Sequence, residues 1–175
     1  MVIPIKWNPP DPPWVKLNAK GNLRDATGNA RGGGIICNHR GALLKAFTTP
    51  LRVGSVLEAE LSAVLRGLLL AKEFGTTIWI ELDATQVISL INTRNSRPAQ
   101  TRHLMAQITL LQRSCVLKAT FVHREGNMAA GSLVNMALAL SPMLIFDGLS
   151  APRHLKAIVR MEQMGIPNIR VENEE

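Results

Sequence analysis

The residue pattern predicts an α/β domain built on a mixed five-stranded sheet with helices on both faces. Two patterns carry the prediction. Three short segments near the start alternate or run apolar as strands do, with turn residues between them, so three antiparallel strands open the domain. Helical and strand patterns then follow in the order helix, strand, helix, helix, strand, helix. The composition permits such a fold: 46% of the 175 residues are hydrophobic and 19% are charged, which supplies a core and excludes wholesale disorder.

Pro9, Pro10, Pro12 and Pro13 fix φ and remove amide donors, so residues 1–13 read as a Pro-rich, extended lead-in, neither helix nor central strand. Residues 14–20 alternate apolar and polar and form the first strand. Residues 21–34 are rich in Gly, Asn and Asp and read as a turn or long hairpin loop. Residues 34–38 and 42–47 are the next two strands, joined by a tight turn at His39-Arg40-Gly41. Leu57, Leu61, Val64, Leu65, Leu68 and Ala71 recur at helical spacing. Ser55 is placed as N-cap with Glu58 three residues on, a capping box, and Gly75 ends the run.

Residues 77–83 form a strand, and residues 84–92 a short helix carrying Val87, Ile88 and Ile91. After a break at Arg97-Pro98, Leu104, Ile108 and Leu111 mark an amphipathic helix. Residues 116–123 are the fifth strand, and residues 127–140 a helix with Leu133, Met136, Ala137 and Leu140 on one face. The domain so read covers residues 14–140. Residues 141–175 are a C-terminal extension with one more helix over residues 152–165. Residues 167–175 have little apolar content and an acidic finish, so a loosely held end is expected.

Lys plus Arg number 20 and Asp plus Glu 13, a formal charge of +7. From residue 152 onward four basic residues balance four acidic ones, so the whole excess lies earlier in the chain. A basic body of this size suits a polyanionic partner such as nucleic acid, or simply keeps the protein soluble. The absence of Tyr, with only three Trp and four Phe, speaks against a binder built on aromatic stacking platforms. No apolar run reaches the roughly 18 to 20 residues of a membrane helix, and no membrane partner is expected. The first residues lack a signal peptide's apolar region, which predicts an intracellular, cytoplasmic or nuclear chain that is not secreted. Cys37 and Cys115 lack metal-ligand spacing and sit in apolar stretches, as buried free thiols do.

Two acids stand at apolar boundaries, where a carboxylate is costly unless something pairs with it. Asp83 closes an apolar strand, and Glu60 lies in the first turns of a helix between Ala59 and Leu61. Each also has an ordinary role open to it. A helix N-terminus favours Glu60 through its dipole, and Asp83 is placed to cap the helix that follows.

Four motifs in order resemble the plant ribonuclease H-like family of retroelement type. Trp14-Val-Lys-Leu-Asn-Ala-Lys-Gly21 with Gly-Gly-Gly-Ile-Ile-Cys-Asn-His-Arg-Gly41 resembles its first hairpin. Glu58-Ala-Glu-Leu-Ser-Ala-Val-Leu-Arg-Gly-Leu-Leu-Leu-Ala71 resembles its first helix, and Ile80-Glu-Leu-Asp-Ala-Thr85 its fourth strand. Phe121-Val-His-Arg-Glu-Gly-Asn-Met-Ala-Ala130 resembles its last strand and the entry to its final helix. The resemblance runs from about residue 7 to residue 140, and it implies the ribonuclease H-like fold, the same five-stranded sheet reached from the pattern. It also implies cleavage of the RNA strand of an RNA–DNA hybrid, with four carboxylates holding two divalent cations, usually magnesium. One cation activates a water and the other stabilises the leaving oxygen.

Position by position, the resemblance splits. The helix and fourth-strand carboxylates are present as Glu60 and Asp83. The first-strand position, an Asp that bridges both metals in the family, is Lys20, and the final-helix Asp is Gly131. A unit charge beside another at about 4 Å and an effective dielectric near 20 costs about 4 kcal/mol, and a divalent ion about twice that. Lys20 is therefore expected to pair with Glu60 and Asp83 in place of a metal, with a single ion on those two acids as the alternative. No cofactor is expected, and Mg2+ only with residual activity. Glu81 shares a strand face with Asp83 and is placed to assist an ion, Asp25 falls on the wrong side of a turn, and Glu125 suits a surface pair with Arg124. His123, near the end of the last strand, is open to a proton-shuttling or an ordinary hydrogen-bonded role. His39, His103 and His154 are too scattered for a metal site.

The expected function is an inactive ribonuclease H-like domain that binds RNA–DNA hybrid, RNA or DNA through a basic surface. The alternatives are a hybrid ribonuclease, active or weakly active, with an altered metal site, and a protein-interaction scaffold on the same fold. The resemblance extends to retroelement fragments as well as free-standing plant proteins.

Overall fold

The computed structural model describes residues 1–137 and 141–173. β2 (Val15–Leu23), β3 (Asn29–Cys37) and β4 (Leu43–Arg52) form an antiparallel meander. β5 (Thr77–Leu82) runs parallel to β2, and β6 (Val116–Phe121) parallel to β5. The sheet is mixed as expected, but it has six strands rather than five. β7 (Leu144–Phe146) adds to the outer edge of β4, giving the order β6-β5-β2-β3-β4-β7. Three residues are too few to show a period in sequence, so this strand is set by its pairing with β4.

A separate two-stranded sheet joins β1 (Val2–Ile5) to β8 (Asn168–Val171), with Val2 opposite Val171. β8 lies within the stretch expected to be loose, and among the described residues it pairs with β1, at the far end of the sequence. The expected end of the last domain helix, Leu140 included, and the acids Glu174 and Glu175 lie outside the described residues.

The glycine-rich stretch is mostly strand, not loop: β2 runs to Leu23 and β3 begins at Asn29, leaving residues 24–28 as the turn. The glycines are there because helices lie directly on the strand backbone. A Cβ on Gly21 would sit 2.2 Å from the carbonyl carbon of Ala59, and one on Gly33 would sit 2.8 Å from Leu133 Cβ and Val134 N. Both gaps are far inside van der Waals contact, so only a residue without a side chain fits.

α1 (Val56–Ala71) starts as its capping pattern requires. The Ser55 hydroxyl accepts the Glu58 N–H at 3.1 Å, and Glu58 Oε2 accepts the Gly54 N–H at 3.4 Å. α1 packs one sheet face with α2 (Thr85–Thr93) and α3 (Arg102–Leu111). Leu61, Val64 and Leu68 of α1, Ile91 of α2 and Met105 of α3 cover Leu17, Ala19, Ile36, Ile80 and Leu82. α4 (Met128–Met136) and α5 (Arg153–Gln163) pack the other face. Leu133, Leu155 and Val159 meet Trp7, Ile35, Cys37 and Ala46 there. Burying a Leu or Ile side chain of this kind stabilises the fold by about 1.5–3 kcal/mol. Cys37 and Cys115 are both buried and free.

Two glycines, Gly21 beneath α1 and Gly131 within α4, should respond oppositely to one added methyl. Gly21→Ala should lower the unfolding free energy by about 1–3 kcal/mol or more, because α1 must move off β2. A Cβ on Gly131, in α4, meets nothing within 4 Å. Gly131→Ala should therefore raise stability by about 0.5–1 kcal/mol through helix propensity. Urea denaturation of the two variants beside the unmodified chain measures both.

Candidate functional site

The parallel register of β2 and β5 pairs Asn18 with Glu81, so two residues further on Lys20, still within β2, stands beside Asp83, just past the end of β5. Lys20 Nζ donates to Asp83 Oδ2 at 2.7 Å and lies 3.8 Å from Glu60 Oε1. Glu60 arrives from the second turn of α1, over Gly21, whose N–H donates to Glu60 Oε2 at 2.8 Å. Asp83 does not cap α2. Ala84 is the N-cap residue and no side chain serves there. The Asp83 carboxylate is instead taken by Lys20 and by Asn127, whose Nδ2 donates to Oδ1 at 3.3 Å.

Glu60 is buried, and its pKa is pushed up from 4.5 to about 7. Burial is the main cause. The Lys20 charge and the Gly21 N–H pull the other way, and Asp83 adds to the rise. Gly131 lies one turn along α4 from Asn127, to whose carbonyl its N–H donates, and so on the same side of the helix. It has room around it and offers no ligand. The two-metal centre that the sequence resemblance implies does not fit these residues. An ammonium lies between the remaining carboxylates, and the fourth ligand position has no side chain. Among the described residues no three His, Cys, Asp or Glu side chains converge as metal ligands.

Glu81 is brought close to the site but faces elsewhere. Its Oε1 lies 2.9 Å from Lys16 Nζ and accepts from Asn18 Nδ2 at 3.0 Å. Lys16 is fully buried, its ammonium 3.9 Å from the Trp79 ring centroid and 4.7 Å from that of Trp7, and donating to Asn8 O at 2.7 Å. Asn18 also accepts the Trp7 indole N–H at 2.9 Å and donates to Asn127 Oδ1 at 3.1 Å. Asn127, which further donates to Ala19 O at 3.1 Å, ties this buried network to Asp83. Its role escapes a sequence reading, although its position after Gly126 and just before a helix was a signal.

The other candidates lie apart from the cluster. His123 precedes a 3-10 turn and stacks edge-on against Phe121, with ring centroids 5.0 Å apart. Glu125 lies 3.6 Å from Arg124 Nε and also pairs with Arg170 at 3.5 Å. Asp25 holds its own hairpin turn through Thr27 and Asn29, which lower its pKa to about 2. His39 sits in the β3–β4 turn, His103 on α3 and His154 on α5.

A cleft of about 1170 Å³ opens beside α1, the helix that carries Glu60. Arg24, Arg31, Arg52, Arg66 and His103 line it, and none of these arginines is in an ion pair among the described residues. Its two acids are engaged, Asp25 in the hairpin turn and Glu58 in the α1 capping box.

Residues 18–137 match the model of the reverse transcriptase-like family. An Arabidopsis thaliana protein with the curated name "Putative ribonuclease H protein" is 29% identical over 164 residues, which are 92% of this chain and 26% of that protein. The chain thus spans about a quarter of the length of that relative. Ribonuclease H1 from Halobacterium salinarum aligns at a TM-score of 0.65 and 22% identity over 73% of this chain and 97% of its own. LC11 ribonuclease H1, solved in complex with an RNA/DNA hybrid, aligns at 0.66 and 21% over 73% and 99%. The fold is therefore ribonuclease H-like, as the four motifs implied.

The raised pKa of Glu60 sets a pH dependence. The folded chain holds a proton on this group up to about pH 7, whereas the unfolded chain releases it near 4.5. Its contribution is complete below about 4.5 and is lost as pH rises through about 7. Glu162, also buried and raised from 4.5 to about 7, acts in the same window. Stability measured by urea at steps across that window should fall with rising pH. Glu60→Gln should flatten the slope, and Glu60→Gln with Glu162→Gln should flatten it further.

Proposed function

The chain belongs to the reverse transcriptase-like family, and from that premise we propose that it is a catalytically inactive ribonuclease H-like domain that binds RNA–DNA hybrid, or related nucleic acid, through its basic surface. The observation that carries the reading is the Lys20 ammonium, 2.7 Å from Asp83 and 3.8 Å from Glu60. It supplies the positive charge that the two acids need, and supplies it permanently. What it lacks is a bound water of lowered pKa, so no nucleophile is generated there. Gly131 removes a second ligand, and neither lost position is made good by Glu81, which Lys16 and Asn18 hold.

Binding needs none of this chemistry. Phosphate contacts require cations not neutralised by an acid, and the arginines of the cleft beside α1, in no ion pair among the described residues, are such cations. The hybrid seen with LC11 ribonuclease H1, on the same fold, supports hybrid as the first ligand to test.

Labelled RNA–DNA hybrid should bind with an affinity that falls steeply as salt rises, and should remain uncut in magnesium or manganese. Robust cleavage abolished by Glu60→Gln or Asp83→Asn would overturn the reading. Lys20→Asp restores the bridging carboxylate, and Gly131→Asp restores a ligand in a place with room for it. Neither change alone should allow magnesium binding by calorimetry, and the double variant should. The two positions serve one metal pair, so their effects should couple rather than add.

A further inference from the structure

The C-terminal helix α5 lies on the sheet face opposite α1 and α3, beyond residues 18–137 that match the family model. Residues 152–175 are neutral overall by sequence, yet among the described residues of this stretch the charges are sorted in space. The one acid of α5, Glu162, is buried with Leu155 and Val159. Arg153, His154, Lys156 and Arg160 are all exposed on its outer side. Glu172 pairs with Arg170 at 2.9 Å, away from α5 on β8 and the residue after it. Asp147, the acid of the loop before α5, accepts the Leu149 and Ser150 amides at 2.8 Å each.

A groove of about 370 Å³ runs between α5 and the end of the β3–β4 turn. Ala42, Leu43 and Gly148 form one side, and Lys156, Arg160 and Gln163 the other, with no acid in the lining. Arg40 adjoins it, since Gln163 Nε2 donates to Arg40 O at 3.3 Å. Among the described residues Arg40, Arg153, Lys156 and Arg160 are in no ion pair. Arg153, Lys156 and Arg160 stand at spacings of three and four, one side of a helix, and span about 10 Å at 1.5 Å per residue.

The geometry points to this groove as a second nucleic-acid contact: α5 holds backbone phosphates of nucleic acid that extends past the cleft beside α1. The occupant follows from charge complementarity. The outward face of α5 is cationic, and the lining of the groove beside it holds Lys156 and Arg160 and no acid. The inference rests on the nucleic-acid reading above and adds to it a site on the opposite face of the sheet.

The test is fluorescence anisotropy with an RNA–DNA hybrid of about 30 base pairs, between about 50 and 200 mM salt, where each lost phosphate contact lowers the log–log slope by about 0.9. Arg153→Ala/Lys156→Ala/Arg160→Ala should lower the slope by about 2 to 3 and weaken binding about tenfold or more at the lower salt. Arg31→Ala/Arg52→Ala/Arg66→Ala should remove a separate share of the slope. Lys72→Ala/Arg97→Ala/Arg113→Ala, an equal loss of charge at other exposed positions, should change it little. An α5 variant indistinguishable from the unmodified chain, or matched in its loss by that control, overturns the α5 site alone. Failure of the unmodified chain to bind any nucleic acid overturns the nucleic-acid reading and this inference with it. The substituted α5 side chains are exposed, and an unchanged urea midpoint confirms that each variant remains folded.

Discussion

Because Gly21 has no side chain, α1 lies on the backbone of β2, and its peptide between Ala59 and Glu60 takes the space that a Cβ would fill. The contact fixes where Glu60 can go. Its carboxylate swings over the end of β2, accepts the Gly21 N–H, and comes within 3.8 Å of Lys20. The parallel register of β2 with β5 then sets Asp83 beside Lys20. Three charged groups from three elements converge because one backbone contact is close. The same closeness excludes water from Glu60, which is why burial rather than a neighbouring charge dominates its raised pKa.

Two acids at strand and helix ends need a counter-charge in any fold of this kind, and there are two ways to supply it. A divalent cation satisfies them and brings an activated water, but it can leave. A lysine satisfies them through a tether and brings three N–H donors in place of the water. Lys20 adopts the second solution with a short bond to Asp83 and a longer one to Glu60. The unequal distances fit a single charge shared unequally between two carboxylates, of which Glu60 has its pKa pushed up to about 7 by burial. Lysine at this position keeps the architecture and places an ammonium where the two carboxylates converge.

Much of this was legible in the residues, and the parts that were not share a physical cause. The capping box at Ser55 and Glu58 and the strand leading to Asp83 follow from local pattern, and the approach of Lys20 to Asp83 from the resemblance to the ribonuclease H-like family. Lys16 did not follow. In an alternating strand it reads as a solvent-facing residue, whereas α5 and Trp7 cover that face and leave it fully buried against Trp79 and Glu81. The glycine run read as loop for the same reason: the helices that require bare backbone there are remote in sequence. β7 and the β1–β8 pair are runs of three or four residues, too short for a period and held by long-range pairing alone. Asn127 is a single side chain whose meaning lies in three partners, Asn18, Ala19 and Asp83.

The covering of that second face explains the charge pattern of the C-terminal helix. Once α5 and Trp7 pack on this face of the sheet, the buried polar groups Lys16, Asn18 and Glu81 must find partners in a region of low dielectric. Lys16 has Glu81, Asn8 and two indole faces, and burial lowers its pKa despite the attraction of Glu81 and Glu162. Glu162, brought in by α5 itself, is drawn toward the Lys16 charge while burial raises its own pKa. An acid directed inward for this purpose is an acid absent from the outer side of the helix. The buried network beneath α5 and the cationic face above it are therefore two consequences of one placement. The inward placement of Glu162 leaves Arg153, Lys156 and Arg160 without an acid of their own helix beside them.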